Sequence, residues 1–211
     1  GATSKDTTAA WSAFGGSARE EVITKLKEMA SGLVRCMYCE DSMGTDIDHF
    51  RPKSNYPGYV FQWSNYFLAC SHCNSNQKRS QFPILLDGSL GLIDPAIDDP
   101  LDHLLLTPSS GFYAPLTTRG EETIRVFGLN RQVCAAGRAQ LLVTIGLAFS
   151  AYVADPGRRA ELLKYVQRTQ FRAVFSHVGR AARSPGATAV LDPIIVEAVL
   201  VHPELVDWAS A

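Results

Sequence analysis

Two Cys-x-x-Cys pairs, Cys36-Met37-Tyr38-Cys39 and Cys70-Ser71-His72-Cys73, constrain this chain more than any other feature. A two-residue gap lets both thiolates of a pair turn onto one ion, and four thiolates complete the tetrahedron of Zn²⁺ without leaving a position for substrate. The spacing therefore predicts a closed, structural zinc site made of Cys36, Cys39, Cys70 and Cys73. Disulfides are the weaker reading: Gly1 to Ala10 are small and polar and lack the apolar stretch of a secretory signal, which points to a reducing compartment. The first residue is not Met and reads as a trimmed end. The insert between the pairs is long. Thirty residues separate Cys39 from Cys70, and they hold the most polar motif of the chain.

That motif is Asp46-Ile47-Asp48-His49-Phe50-Arg51-Pro52-Lys53, followed by Trp63-Ser64-Asn65-Tyr66 and then by Cys73-Asn74-Ser75-Asn76-Gln77-Lys78-Arg79. Alternation over Thr45 to Phe50 predicts a strand, Tyr66 to Cys70 a second, and Ser71 to Gln81 a helix whose first turn bears the second cysteine pair. In this combination residues 35–83 resemble the HNH endonuclease family, whose fold is a ββα unit around one catalytic metal and is often pinned by a four-cysteine zinc. The resemblance implies that Asp48 is the carboxylate metal ligand and His49 the general base. It makes Asn65 the asparagine that braces the loop and orients the histidine. Asn74 falls where the family usually has its final histidine, so the chain is an Asp-His-Asn-Asn variant. An amide oxygen suits a hard cation, so Mg²⁺ or Mn²⁺ is expected at Asp48 and Asn74 in preference to Zn²⁺.

The chemistry of phosphodiester hydrolysis asks for these residue types together: a base for the water, positive charge for the phosphoryl oxygens and help for a departing 3′ oxygen. A neutral histidine with an ordinary pKa of about 6.5 can serve as that base, and 5′-phosphate and 3′-hydroxyl ends are the expected products. Arg51, Lys53, Lys78 and Arg79 are candidates for backbone phosphate contacts, with solvated surface charge as the plain alternative for each. Tyr56, Tyr59, Phe61 and Trp63 are expected chiefly to pack the small unit rather than to stack on bases. His72 reads as a solvated residue between ligands, and Asp46 as either a strand-end carboxylate or a helper of the metal. His103, His177, His202 and Cys134 read as structural.

The remaining sequence is organised around this core. Ser17 to Ser31 has helical spacing, with Ser17 placed to cap it. Residues 83–118 contain no Lys or Arg, carry five Asp, and suggest short strands joined by turns, with Asp94 to Asp102 as a connecting loop. From Arg119 the pattern is helical, predicting helices over 119–154, with a possible break near Gly128 to Asn130, then 157–183 and 188–201. The stretch Leu141 to Ala154, 14 residues long, is too short to span a bilayer and predicts a buried helix. The expected organisation is an α+β chain: a helical segment at 1–34, a zinc-stapled ββα-metal core at 35–83, a connector at 84–118 and a helical region at 119–211. With 211 residues, 46% of them apolar, the chain can bury a real core.

The net charge of −1 argues at first against a nucleic-acid partner. It hides a division, however, because 119–183 holds eleven Lys and Arg against four Asp and Glu. His49 to Ser54, Trp63 to Tyr66, Phe82-Pro83, Asp94-Pro95 and Leu129-Asn130 further resemble a bacterial subgroup of HNH proteins associated with retrons and the Septu system (PtuB-like). That resemblance implies a bacterial cytoplasmic nuclease in anti-phage defence whose C-terminal helices dock on an ABC/SMC-type ATPase or another partner. The rival use of the basic helices, around Arg168 and Arg172, is direct DNA binding. Two other readings stay open: a non-catalytic zinc-ribbon module that binds nucleic acid or protein, and an HNH nuclease that cleaves RNA or tRNA.

Overall fold

The computed structural model describes residues 3–30 and 32–209. Two helices come first, α1 (Ser4–Ala13) and α2 (Gly16–Met29). No apolar stripe announces α1. A capping box fixes its start: the Thr3 hydroxyl accepts from the Asp6 backbone N–H at 3.3 Å and the Asp6 carboxylate accepts from the Thr3 N–H at 3.0 Å. α2 starts at Gly16 after a Gly15 cap that offers no side chain, so Ser17 is not the cap that its position suggested. Ser31, its expected last residue, lies outside the described residues.

The two expected strands form as β1 (Asp46–His49) and β2 (Tyr66–Ala69), antiparallel, with Asp46 opposite Ala69 and His49 opposite Tyr66. After β2 the chain makes a π-helical turn, His72–Lys78, where the pattern suggested an ordinary helix. Such wide turns re-aim side chains and recur at functional sites. The acidic connector contributes β3 (Leu104–Leu106) and β4 (Tyr113–Pro115), a second antiparallel ribbon.

The C-terminal region is helical: α3 (Thr118–Phe127), α4 (Gln132–Ala154), α5 (Arg159–Gln167), α6 (Arg172–Ala182) and α7 (Pro193–Val201). The break suggested near Gly128 is real, since Gly128 ends α3 in the left-handed region. A second break was not legible. The single helix expected over 157–183 is two, because Phe171 adopts φ 58° between α5 and α6. Its buried ring fills a notch over Gly137 of α4, where an added β-carbon would lie 2.6 Å from it. Tertiary packing here outweighs helix propensity.

The first sheet separates two apolar clusters, as period-two alternation requires. Ile47, Tyr66 and Leu68 face Trp11 of α1, Leu26 of α2 and Val60. Phe67 and Ala69 face the other way and join the cysteines to Phe127 and the C-terminal helices. By length and composition α4 could cross a membrane. In the fold it packs on α5, α6 and α7, burying Leu141, Leu142, Ile145 and Phe149 and leaving Val143 and Leu147 exposed, so the expected buried helix is buried on one side.

Several arginines of 119–183 are engaged within the fold. Arg119 pairs with Asp98 and donates to the Leu92 carbonyl at 2.7 Å. Arg180 pairs with Asp99 and Asp102 at 3.1 and 3.5 Å. Arg138 is fully buried, donating to the carbonyls of Gly111 and Leu129 at 2.6 and 2.8 Å. Arg172 ties the Trp208 and Ala209 carbonyls at 2.8 and 3.0 Å.

Phe127 is the hinge between the halves of the main core, fully buried and stacked on Tyr38 with ring centroids 3.9 Å apart. Phe127→Ala is expected to cost about 3–5 kcal/mol in denaturant unfolding, and a loss below about 1 kcal/mol would contradict this role.

Candidate metal centre and catalytic site

One cysteine pair precedes β1 and the other follows β2, and they meet at the open end of the β1–β2 hairpin, where Asp46 faces Ala69. Cys36 and Cys39 lie in a turn closed by the Glu40 N–H donating to the Cys36 carbonyl at 2.9 Å, with Glu40 itself at φ 55°. Cys70 follows β2, and the Cys73 N–H donates to the Cys70 thiolate sulfur at 3.4 Å. All four Sγ atoms lie within 4.8 Å of one another and all are buried. The Sγ atoms of Cys39 and Cys70 are 3.9 Å apart. A Zn–S bond of about 2.3 Å implies tetrahedron edges of about 3.8 Å, so the cluster can hold a zinc ion. Cys134 is buried beside Cys39 and hydrogen-bonded to it, outside the four-sulfur group. His72 is turned to Gln77, with 3.2 Å between its Nε2 and the amide nitrogen, consistent with its exclusion from the ligands.

Asp48 and His49 are adjacent on β1 and so face opposite sides of the strand. Asp48 points into the main core, where Tyr38 of the first knuckle donates its hydroxyl to Oδ2 at 2.6 Å. Lys78 closes the π-helical turn over it, its ammonium 3.1 Å from Oδ1 and 3.0 Å from Oδ2, and also donates to the His49 carbonyl at 2.5 Å. Burial raises the Asp48 carboxyl above its ordinary range, against the pull of Lys78 and Tyr38. Lys78 is fully buried, so it is not on the phosphate-facing surface where its place beside Arg79 put it.

His49 points to the other cluster. Its Nε2 lies 3.0 Å from the Val60 carbonyl oxygen, which also accepts from Tyr66 Oη at 2.8 Å. A carbonyl only accepts, so the hydrogen bond assigns the proton to Nε2 and leaves the lone pair on Nδ1. Burial lowers the His49 pKa to about 4, with Lys53, Lys78 and Arg19 adding to the shift and the Val60 carbonyl opposing it. The imidazole is therefore neutral at pH 7.

Asn65, buried at the start of β2, explains the loop. Its Oδ1 accepts from the Arg51 N–H at 2.7 Å, and its Nδ2 donates to the carbonyls of Arg51 and Tyr59 at 3.1 and 3.0 Å. One amide thus ties together the Arg51 and Tyr59 backbone of the loop between β1 and β2 and, through Tyr59, the neighbouring Val60 carbonyl. Asn74 donates its Nδ2 to Asp46 Oδ2 at 3.3 Å, reaching Asp46 rather than Asp48. Asp46, Asp48 and Asn74 are all oxygen donors, and the Asp48 carboxylate with the His49 carbonyl already seats one cation, the Lys78 ammonium. The donor set fits a hard divalent ion in kind.

Of the other basic candidates, Arg51 stacks over Tyr59 at 4.2 Å, Lys53 is half-buried with its ammonium 5.5 Å from the Trp11 ring centroid, and Arg79 is exposed. Tyr56 and Tyr59 pack within the insert, whereas Phe61 and Trp63 remain exposed. Sequence reasoning missed Tyr38, Trp11 and Arg19. Tyr38 had a signal, its place between two cysteines; the other two lie far from any motif.

Comparison with known proteins matches residues 36–80 to the family model described as HNH endonuclease. The chain is also similar to Septu protein PtuB of Bacillus thuringiensis, 30% identical over 84 residues, which covers 37% of this chain and 30% of that protein. The chain thus spans less than a third of that relative's length. No solved structure matches it. The cysteine-bounded segment thus carries the features of the HNH endonuclease family model over residues 36–80.

Two outcomes follow from this geometry. Cys36→Ser is expected to lower bound zinc, read by elemental analysis of the purified protein, and to abolish the cooperative unfolding of the β1–β2 unit. With no divalent ion added, the His49 ring resonances should titrate near pH 4. Its folded pKa lies below the unfolded value of about 6.5, so the unfolded chain binds the extra proton. Stability is then unaffected above pH 6.5 and falls between about 6.5 and 4, by about 3 kcal/mol for His49 alone, an effect His49→Gln should remove.

Proposed function

We propose that the HNH domain at residues 36–80 makes this chain a metal-dependent endonuclease that hydrolyses DNA phosphodiester bonds in bacterial anti-phage defence. The observation that carries the reading is the state of His49: a neutral imidazole whose Nε2–H is held by the Val60 carbonyl and whose Nδ1 keeps its lone pair for a proton, one residue from a carboxylate. In this reading His49 Nδ1 takes a proton from water, the water oxygen attacks phosphorus and the bond to the 3′ oxygen breaks, leaving a 5′-phosphate and a 3′-hydroxyl. Mg²⁺ or Mn²⁺ would be held by Asp48 and Asn74 once Lys78 leaves the carboxylate and Asn74 turns from Asp46, and it would stabilise the charge that gathers on the phosphoryl and leaving oxygens.

Asn65 acts as a positioning residue, because its amide sets the loop that sets the Val60 carbonyl. Arg51, Lys53 and Arg79 contact backbone phosphates, giving salt-sensitive binding with little sequence preference. Zn²⁺ on Cys36, Cys39, Cys70 and Cys73 holds the hairpin and takes no part in the chemistry. The place in defence rests on the similarity to Septu protein PtuB, and the partner, an ABC/SMC-type ATPase, would dock on the C-terminal helices, where Val143, Leu147, Leu200 and Val201 are exposed.

Supercoiled plasmid incubated with Mg²⁺ or Mn²⁺ is expected to be cut by the wild-type protein and left intact in EDTA. His49→Ala should cut at least about 100-fold more slowly while retaining its zinc. Equal cutting by the two proteins would refute the assignment.

A further inference from the structure

The HNH match begins at residue 36, yet the group that lies against His49 comes from outside it. Trp11, on α1, meets the imidazole edge-on with ring centroids 4.4 Å apart. Phe14 stacks on the indole at 5.1 Å, and Phe61 of the insert closes a third side at 6.0 Å. Two cations lie over the same ring, the Arg19 guanidinium at 5.3 Å and the Lys53 ammonium at 5.5 Å from its centroid. Under this cover His49 is 5% exposed and Trp11 8%. A general base has to come within about 2.6–3.2 Å of the water it deprotonates, and a bulky phosphodiester backbone cannot bring its water there past the indole.

The attachment of α1 has its own character. Of its described side chains only Thr7 and Trp11 are buried. It joins α2 through Gly15 and Gly16, the latter at φ 61° with nothing within 4 Å of the place where its β-carbon would be. A short helix on a two-glycine joint, whose largest buried group is one aromatic ring that sits on the proposed base, has the construction of a cover.

We propose that α1 is a lid on the nuclease site. In the closed state Trp11 seals His49 and engages Arg19 and Lys53 through cation–π contact; rotation about Gly15-Gly16 uncovers the imidazole and frees both cations. A polyanionic DNA backbone favours the open state, because phosphate competes with the indole for the same two cations. Arg19, outside the matched domain, then becomes a phosphate contact. The proposal rests on His49 as the base, and its test is chosen to read the cover independently of cleavage.

The test is carbethoxylation of histidine by diethylpyrocarbonate on the full chain, followed peptide by peptide by mass spectrometry, with His103 as internal reference. In Trp11→Ala, His49 should be modified at least tenfold faster than in wild type, while Trp11→Phe, which keeps a ring in place, should stay near wild type. Duplex DNA should also displace the lid, so that an Arg19→Gln, Lys53→Gln double variant binds duplex more weakly and with a shallower salt slope. Should Trp11→Ala lose zinc or helix content, Phe14→Ala, which removes only the ring behind the indole, takes its place with the same expected direction. Equal His49 modification in wild type and in the folded variant overturns the lid. If wild type cuts plasmid in a His49-dependent way while labelling is unchanged, the lid falls and the nuclease reading stands. If labelling rises tenfold and no plasmid is cut, the cover is established and the nuclease reading falls.

Discussion

Everything in this fold hangs on four buried thiols meeting at one point. The β1–β2 hairpin has only four residues in each strand, too few to be stable alone in water. Bringing Cys36 and Cys39 together with Cys70 and Cys73 pins the two strands at the open end of the hairpin and closes a thirty-residue excursion, which removes freedom from the unfolded chain. The insert can then be polar and irregular, because its geometry is set from outside.

The metal knuckle also reaches the candidate catalytic residues directly. Tyr38, inside the first pair, lies on Phe127 and donates to Asp48; Lys78, at the end of the turn that begins with the second pair, closes the other side of the same carboxylate. Removing Lys78 would leave the buried Asp48 charge unpaired, which is far costlier than the pair itself is stabilising. On the opposite face of β1, Asn65 and Val60 set the orientation of His49. Two adjacent residues of one short strand are thus held by two separate networks, so a shift in either core moves the site.

Much of the site was legible because chemistry forces residue type and spacing together. The cysteine pairs, the Asp-His step and the bracing asparagine can be found without coordinates, and so could β1, β2 and the helical character beyond residue 118. What escaped depended on distance in space. Lys78 and Arg79 are neighbours of equal charge, and only the π-helical turn decides that one is buried against Asp48 and the other is exposed. That Arg119 and Arg180 of the basic helices pair with Asp98, Asp99 and Asp102 of the connector could not be read from their net charge. The break at Phe171 follows from Gly137 on another helix. Trp11 had no local signal, since its partner is 38 residues away in sequence.

The nuclease reading proposed above places a hydrolytic site on a short hairpin whose four cysteines can hold zinc, with the helical region packed against it. The claim at its centre is that a water, deprotonated by His49, attacks phosphorus and breaks the bond to the 3′ oxygen. Cleavage of a duplex oligonucleotide in ¹⁸O-labelled water with Mn²⁺, followed by mass spectrometry of the ends, tests it most directly. The account predicts one ¹⁸O atom in the new 5′-phosphate and a free, unlabelled 3′-hydroxyl. Label at a 3′-phosphate, an unlabelled 5′-phosphate, or DNA left intact by the zinc-loaded protein would contradict it.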